Sequence, residues 1–180
     1  MTLEERQFPI GKWKPESSYS EEEIARNIGI IEQYPAKYAQ LIANLSAEEL
    51  AKSYREGAWS IQTLVVHVSD VHILHFARFK QALCEDNSQG FIPNVTGWAN
   101  NSEVPSVPLA DALLLLEATH KRWVHLLKSM SAQDFNRTFY HAGRQLTVTL
   151  AQALHMGAWH TAHHLEHIKI ALATPAVNNQ

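Results

Sequence analysis

The chain has 180 residues, of which 46% are hydrophobic and 18% are charged, and its formal net charge is −3. This length and composition predict one globular domain over residues 1–180, and the lack of a basic run argues against a nucleic-acid partner. The only cysteine is Cys84, which excludes an internal disulfide and fits a reducing compartment. No apolar stretch is long enough for a membrane span or a signal peptide. We therefore expect a cytoplasmic protein that has no membrane partner.

The first half of the chain predicts an arm, two long helices and a short helix between them. Prolines and glycine in residues 1–19 indicate an extended N-terminal arm. The SEEE motif at 20–23 is a capping box that begins a long helix, in which Pro35 predicts a kink or a break. SAEE at 46–49 begins a short helix by the same rule. Ser60 is the predicted N-cap of a second long helix, which runs from Ile61 to about Leu83.

The second half of the chain predicts two further long helices. Glycines and prolines in 86–108 indicate a long connection, a kind of segment that is often functional. A third helix is predicted near 109–130, a small hairpin over 137–148 and a fourth helix from Leu150 to Ala173. Four long amphipathic helices joined by a long crossover predict an all-α four-helix bundle.

The fourth helix contains the most unusual stretch of the sequence, AWHTAHHLEHI at 158–168. Two pairs of histidines have the i,i+4 spacing that lets neighbouring imidazoles share a metal ion, His160 with His164 and His163 with His167. On a helical wheel the first pair flanks the apolar stripe and faces the bundle. His163 points almost directly away from the core, so the second pair is expected to face mostly water.

HHLEH at 163–167 also fits the H-x-x-E-H pattern of inverted zinc peptidases. Such a site needs a further ligand, usually an acidic residue downstream. No Asp, Glu or His follows His167. We therefore reject the peptidase interpretation unless an upstream residue supplies that ligand.

Two histidines seldom complete a metal site, and the second helix offers three candidates for a third ligand. His72 lies on the apolar stripe, where a buried histidine with a hydrogen bond is the alternative interpretation, and His75 borders that stripe. His67 lies to one side. The wheel does not choose among the three.

Almost the whole chain resembles the DinB-like superfamily, and within it the metal-dependent hydrolases of the YfiT type. The resemblance rests on FPIGKWKP (8–15), EGAWSIQTLVVHVSD (56–70), ARFKQAL (77–83), HKRWVHLL (120–127), FYHAGRQLTVTLAQAL (139–154) and WHTAHH (159–164), in this order. It implies a four-helix bundle, a homodimer, and one zinc or nickel ion per chain. The ligands that it implies are His67, His160 and His164, so it selects His67 where the wheel does not.

Two enzymatic mechanisms follow from such a site, and the sequence does not separate them. The ion can activate water for hydrolysis of a small-molecule substrate. It can instead hold a low-molecular-weight thiol for transfer to an electrophile, as in the related bacillithiol transferases. A bundle that binds metal or ligand without turnover is a third hypothesis, and a structural dimer with histidines as core fillers is a fourth.

A few other residues are candidates for supporting roles. Asp70 lies one turn from His67 and could orient that ligand or accept a proton, although a surface carboxylate is the simpler interpretation. Trp98, in the long connection, could cover the site. His120 and His141 could line the mouth of the site, although solvated or capping roles are the simpler interpretation for both.

Overall fold

Four long helices form the framework of the computed structural model, which describes residues 1–173. They are α2 (Glu21–Ile42), α4 (Ile61–Cys84), α6 (Leu109–Ser129) and α7 (Leu150–Ala173). Shorter helices are α1 (Leu3–Gln7), α3 (Ala47–Leu50) and α5 (Val95–Ala99), with 3-10 turns at Val104–Ser106, Asp134–Asn136 and Ala142–Arg144. Strands β1 (Thr138–His141) and β2 (Leu146–Thr149) pair as an antiparallel hairpin before α7. The predicted all-α four-helix bundle and its hairpin are confirmed.

Capping side chains begin these helices where the sequence predicts. Ser20 and Glu23 form a reciprocal capping box at the start of α2, and Ser46 and Glu49 form another at α3. The Ser60 hydroxyl accepts a hydrogen bond from the Thr63 amide at the start of α4. Each cap satisfies amide groups that the first helical turn leaves without a partner.

One local prediction is wrong, and the structure adds detail to two others. Residues Leu3–Gln7 form a helix within the arm that was expected to be extended, because Thr2 and Glu5 make a further capping box. Of the kink or break predicted at Pro35, the break does not occur, since α2 continues through this residue to Ile42. The long connection predicted over 86–108 contains the short helix α5, which Asn94 caps.

Packing places α2 and α4 on opposite corners of the bundle. Both helices pack against α6 and α7, which therefore occupy the other two corners. Two buried apolar clusters result. The first cluster includes Tyr38, Leu64 and Leu165, and the second includes Phe79, Trp123 and Leu154. These six side chains are at most 3% exposed.

A layer of histidines lies between the two apolar clusters. On α4 and α6 the first cluster comes earlier in the helix and the second comes later, with His72, His75 and His120 between them. On α7 the order is reversed, with His160, His163 and His164 between the clusters. His72 and His120 are almost completely buried in this layer, at 0% and 1% exposure. The interior of the bundle is therefore polar at the one level where the helices bring their histidines together.

Candidate metal centre

Three histidines from α4 and α7 meet at this level. The Nε2 atoms of His67 and His160 are 3.2 Å apart. One ring nitrogen each of His67, His160 and His164 lies within 4.8 Å of the other two, a spacing at which the three could hold a metal ion. The structure therefore brings together the three residues that the family resemblance selects from the sequence.

A chain of hydrogen bonds leads from His160 through the bundle to α2. Nδ1 of His160 is 3.1 Å from Nε2 of His72, and Nδ1 of His72 is 2.8 Å from Nε2 of His120. Nδ1 of His120 is in turn 2.6 Å from the carbonyl oxygen of Ile31. That carbonyl would ordinarily accept from the amide four residues later, which is Pro35, and proline has no N–H. The proline within α2 thus leaves the Ile31 carbonyl free for His120.

This chain fixes which nitrogen of each ring carries the proton. A carbonyl oxygen can only accept, so Nδ1 of His120 carries a hydrogen and its Nε2 accepts. Nδ1 of His72 must then donate to His120, and Nδ1 of His160 must donate to Nε2 of His72. Nε2 of His160 is left with a free lone pair, 3.2 Å from His67. A histidine that binds a metal needs this arrangement, with one nitrogen free and the other donating.

His164 is oriented by a second, shorter chain. Nε2 of His167 is 3.3 Å from the carbonyl oxygen of Gln7, and Nδ1 of His167 is 3.4 Å from Nδ1 of His164. The same reasoning makes His167 donate to Gln7 and accept from His164. Nε2 of His164 is therefore also left with a free lone pair.

The pKa values of these imidazoles favour the neutral form. Burial lowers the pKa of His67 and of His120 to about 4. The pKa values of His160 and His164 lie well below their usual range because of burial and the neighbouring imidazoles. Neutral imidazole is the form that binds a metal, so all three rings are ready to act as ligands at neutral pH.

The expectation that His163 and His167 face mostly water is wrong. Both are buried, at 6% and 2% exposure. The N-terminal arm covers this side of α7, with the Phe8 ring centroid 6.2 Å from that of His163, and the Tyr54 ring stacks on His167 at 3.8 Å. A wheel drawn for α7 alone does not include these segments. His163 and His167 also form a second close group with His164, whose nitrogens lie within 4.8 Å.

A cavity of about 510 Å³ opens from the three histidines. Its apolar wall is formed by Trp59, Val71, Ile92, Pro93, Val95 and Met156. Trp59 packs beside the histidines, with its ring centroid 4.7 Å from that of His67. The connection between α4 and α6 contributes Ile92, Pro93 and Val95, which fits the functional role predicted for this segment. A small organic molecule could thus reach the histidine nitrogens.

Two supporting candidates do not reach this centre. Asp70 does not line the cavity and makes no hydrogen bond to His67 within residues 1–173. Burial and the nearby charge of Glu103 raise the pKa of Asp70. Trp98 does not line the cavity either, and it lies at the surface beside Phe91.

The sequence alone does not predict the roles of several residues of the site. His120 is a buried link in the hydrogen-bond chain, which differs from the solvated or capping role expected for it. His141 lines the cavity, as its alternative role allowed, and Arg78 and Arg144 line it as well. The only local signal for His141 and Arg144 is the hairpin, whose alternating strand turns His141 inward.

Fold and centre together define a helical-bundle protein with a candidate metal site in its core, the usual place for such sites in bundles. The chain belongs to the DinB superfamily, which matches residues 30–168. It is 33% identical over 168 residues to "Putative metal-dependent hydrolase YfiT" of Bacillus subtilis, covering 93% of this chain and 94% of the relative. A relative of the same functional description in Halalkalibacterium halodurans is 34% identical, with 93% and 97% covered.

Solved structures agree with this assignment. YfiT from Bacillus subtilis matches with a TM-score of 0.89 at 32% identity, covering 92% of this chain and 94% of that chain. A mycothiol-dependent maleylpyruvate isomerase matches with a TM-score of 0.65 at 14% identity, covering 81% of this chain and 60% of that one. The second similarity shows a shared fold. Among the helices of residues 1–173, none combines the length and the apolar character needed to cross a membrane.

Proposed function

We propose that this protein is a metal-dependent hydrolase of a small-molecule substrate, with His67, His160 and His164 as the ligands of one zinc or nickel ion. The observation that carries the proposal is the meeting of three ring nitrogens within 4.8 Å at the wall of a cavity of about 510 Å³. Imidazole suits both zinc and nickel. The names of the relatives support the reaction class.

The donor set fits such an ion. Two of the three imidazoles are held with Nε2 unprotonated by hydrogen bonds to their other nitrogen. Burial keeps the rings neutral, so a cation does not have to displace protons at neutral pH. Three protein ligands are also the number typical of catalytic sites, which keep a position open for water or substrate.

A bound divalent cation would polarise water or a substrate carbonyl and lower the pKa of that water. The chain itself would bind the substrate against the apolar wall and exclude bulk solvent with Trp59. No carboxylate lines the cavity among the described residues. Proton transfer would therefore fall to an imidazole, and His75 is the candidate because it lines the cavity and its ring lies 5.9 Å from that of His160.

Elemental analysis of untagged protein tests the ligand set. We expect about one zinc or nickel ion per chain in the wild type, and loss of the ion in His67→Ala and His164→Ala. His163→Ala is the matched control, since His163 is a buried histidine of the same helix that is not among the proposed ligands, and it should retain the ion. Equal loss in His163→Ala, or no metal in any sample after incubation with zinc or nickel, would contradict the assignment.

The reaction class needs a separate assay. The loaded protein should hydrolyse at least one member of a panel of esters and amides, and His67→Ala should not. Pairs of a low-molecular-weight thiol with an electrophile belong in the same panel. Turnover of those pairs alone would refute hydrolysis and leave thiol transfer as the activity of the site. The homodimer stays a prediction.

A further inference from the structure

The cavity contains a positively charged region that the metal centre does not use. Arg78, Arg144 and His141 all line it. Arg78 is only 7% exposed, and its sole hydrogen bond in the described chain joins Nη2 to the carbonyl oxygen of Phe91 at 2.6 Å. Its Nε atom is buried without a partner, as is Nδ1 of His141. These are polar groups placed beside a cavity with their hydrogen-bonding capacity incompletely used.

No acidic residue balances these charges. Neither Arg78 nor Arg144 forms a salt bridge within residues 1–173, and the cavity lining contains no Asp or Glu. Burial and the charge of Arg144 lower the pKa of Arg78 to about 10, so its guanidinium remains cationic at neutral pH. A buried cation without a counter-charge is unfavourable unless something else supplies the negative charge.

The placement of Arg78 relates this region to the histidines. His67, Val71, His75 and Arg78 are spaced by four, four and three residues along α4, so they lie on one face of that helix. Arg78 is three turns beyond His67, or about 16 Å of axial rise. Apolar side chains of Val71, Val95 and Met156 complete the lining. The cavity therefore offers a metal centre, an apolar wall and a cationic region to one elongated molecule.

We propose that Arg78, Arg144 and His141 form a subsite for an anionic group, a carboxylate or a phosphate, of a substrate whose reactive group lies at the three histidines. The subsite is defined by its own residues, and only its link to a substrate rests on the proposed function. Guanidinium groups suit both anions because their N–H groups match two oxygens at once.

Isothermal titration at pH 7.5 tests the subsite without turnover. The probes are 3-phenylpropanoate, its neutral amide 3-phenylpropanamide, and phenyl phosphate, each added to metal-free and to zinc-loaded protein. Arg144→Gln is the test variant because Arg144 is exposed, whereas replacing Arg78 would also remove its bond to the Phe91 carbonyl. Arg122→Gln is the matched control, since both arginines are exposed and both lie over an aromatic ring, at 5.0 Å for Arg144 and 5.7 Å for Arg122.

We expect at least one anion to bind tenfold or more tightly than the neutral amide, in both forms of the protein. Arg144→Gln should weaken that anion about fivefold or more without changing the amide, and Arg122→Gln should change neither. The preferred anion identifies the group as carboxylate or phosphate. Equal binding of anions and amide, or an anion that binds only the zinc-loaded protein and ignores Arg144→Gln, would overturn the subsite. Failure of hydrolysis would leave these binding results unchanged, so the two proposals fail separately.

Discussion

Replacing His120 tests whether the hydrogen-bond chain prepares His160 for metal. His120→Phe keeps a ring of similar size but removes both bonds, to the Ile31 carbonyl and to Nδ1 of His72. His72 then loses its acceptor, and nothing fixes the proton of His160 on Nδ1. Loss of such an outer partner of a metal ligand typically weakens metal affinity about 10- to 100-fold, or about 1–3 kcal/mol.

The matched control is His75→Phe. His75 is buried in the same layer and stacks on Trp123, but it makes no hydrogen bond within the described residues. Zinc affinity is measured by competition with a chromogenic chelator, and thermal melting checks that each variant folds. We expect His75→Phe to bind zinc within about threefold of the wild type. Nitrogen NMR of the wild type should show His160 protonated at Nδ1. Unchanged affinity in His120→Phe, or a proton on Nε2 of His160, would refute the reasoning.

Three further predictions concern stability. A Cβ atom at Gly157 would lie 2.5 Å from the buried Trp123 ring, whereas one at Gly29 would meet only a side-chain amide at 3.9 Å. In denaturant titrations, Gly157→Ala should lower the free energy of unfolding by about 2 kcal/mol and Gly29→Ala should raise it by about 1 kcal/mol. An unchanged free energy of unfolding in Gly157→Ala would contradict the packing. Burial lowers the pKa of His120 from 6.5 to about 4, so below pH 6.5 the unfolded chain takes up a proton that the folded chain does not. For each such histidine the free energy of unfolding of the metal-free protein should then fall by about 1 kcal/mol per pH unit down to the folded pKa, and equal stability at pH 7.5 and 5.5 would be the opposing result. Removing the metal with a chelator should lower the melting temperature by about 5–10 °C, because an ion that binds only the folded state stabilises it; an unchanged value would mean that the ion contributes nothing to the fold.

The sequence predicts features that depend on neighbouring residues along one chain segment. Serine caps predict the starts of α2, α3 and α4, and the helical wheel of α7 predicts that His160 and His164 face the bundle. These signals act within one or two helical turns, so no tertiary information is needed to interpret them.

Features that depend on contacts between distant segments were missed. The arm buries His163 and His167, which a wheel of α7 alone places in water. The bonds that join His72, His120 and Ile31 connect three helices, and no spacing within any one of them reveals the partner. His67 was separable from His72 and His75 only through the family resemblance, because the wheel of α4 does not show which of the three positions faces a partner histidine.

Pro35 has a consequence for protein engineering. A design procedure that ranks substitutions by helix propensity would replace this proline first, since alanine is favoured by about 3 kcal/mol in a helix interior. The replacement would restore an amide donor to the Ile31 carbonyl and set it in competition with His120 for that oxygen. A version of this protein thermostabilised in that way would have a more stable α2 and a weaker hydrogen-bond chain to His160.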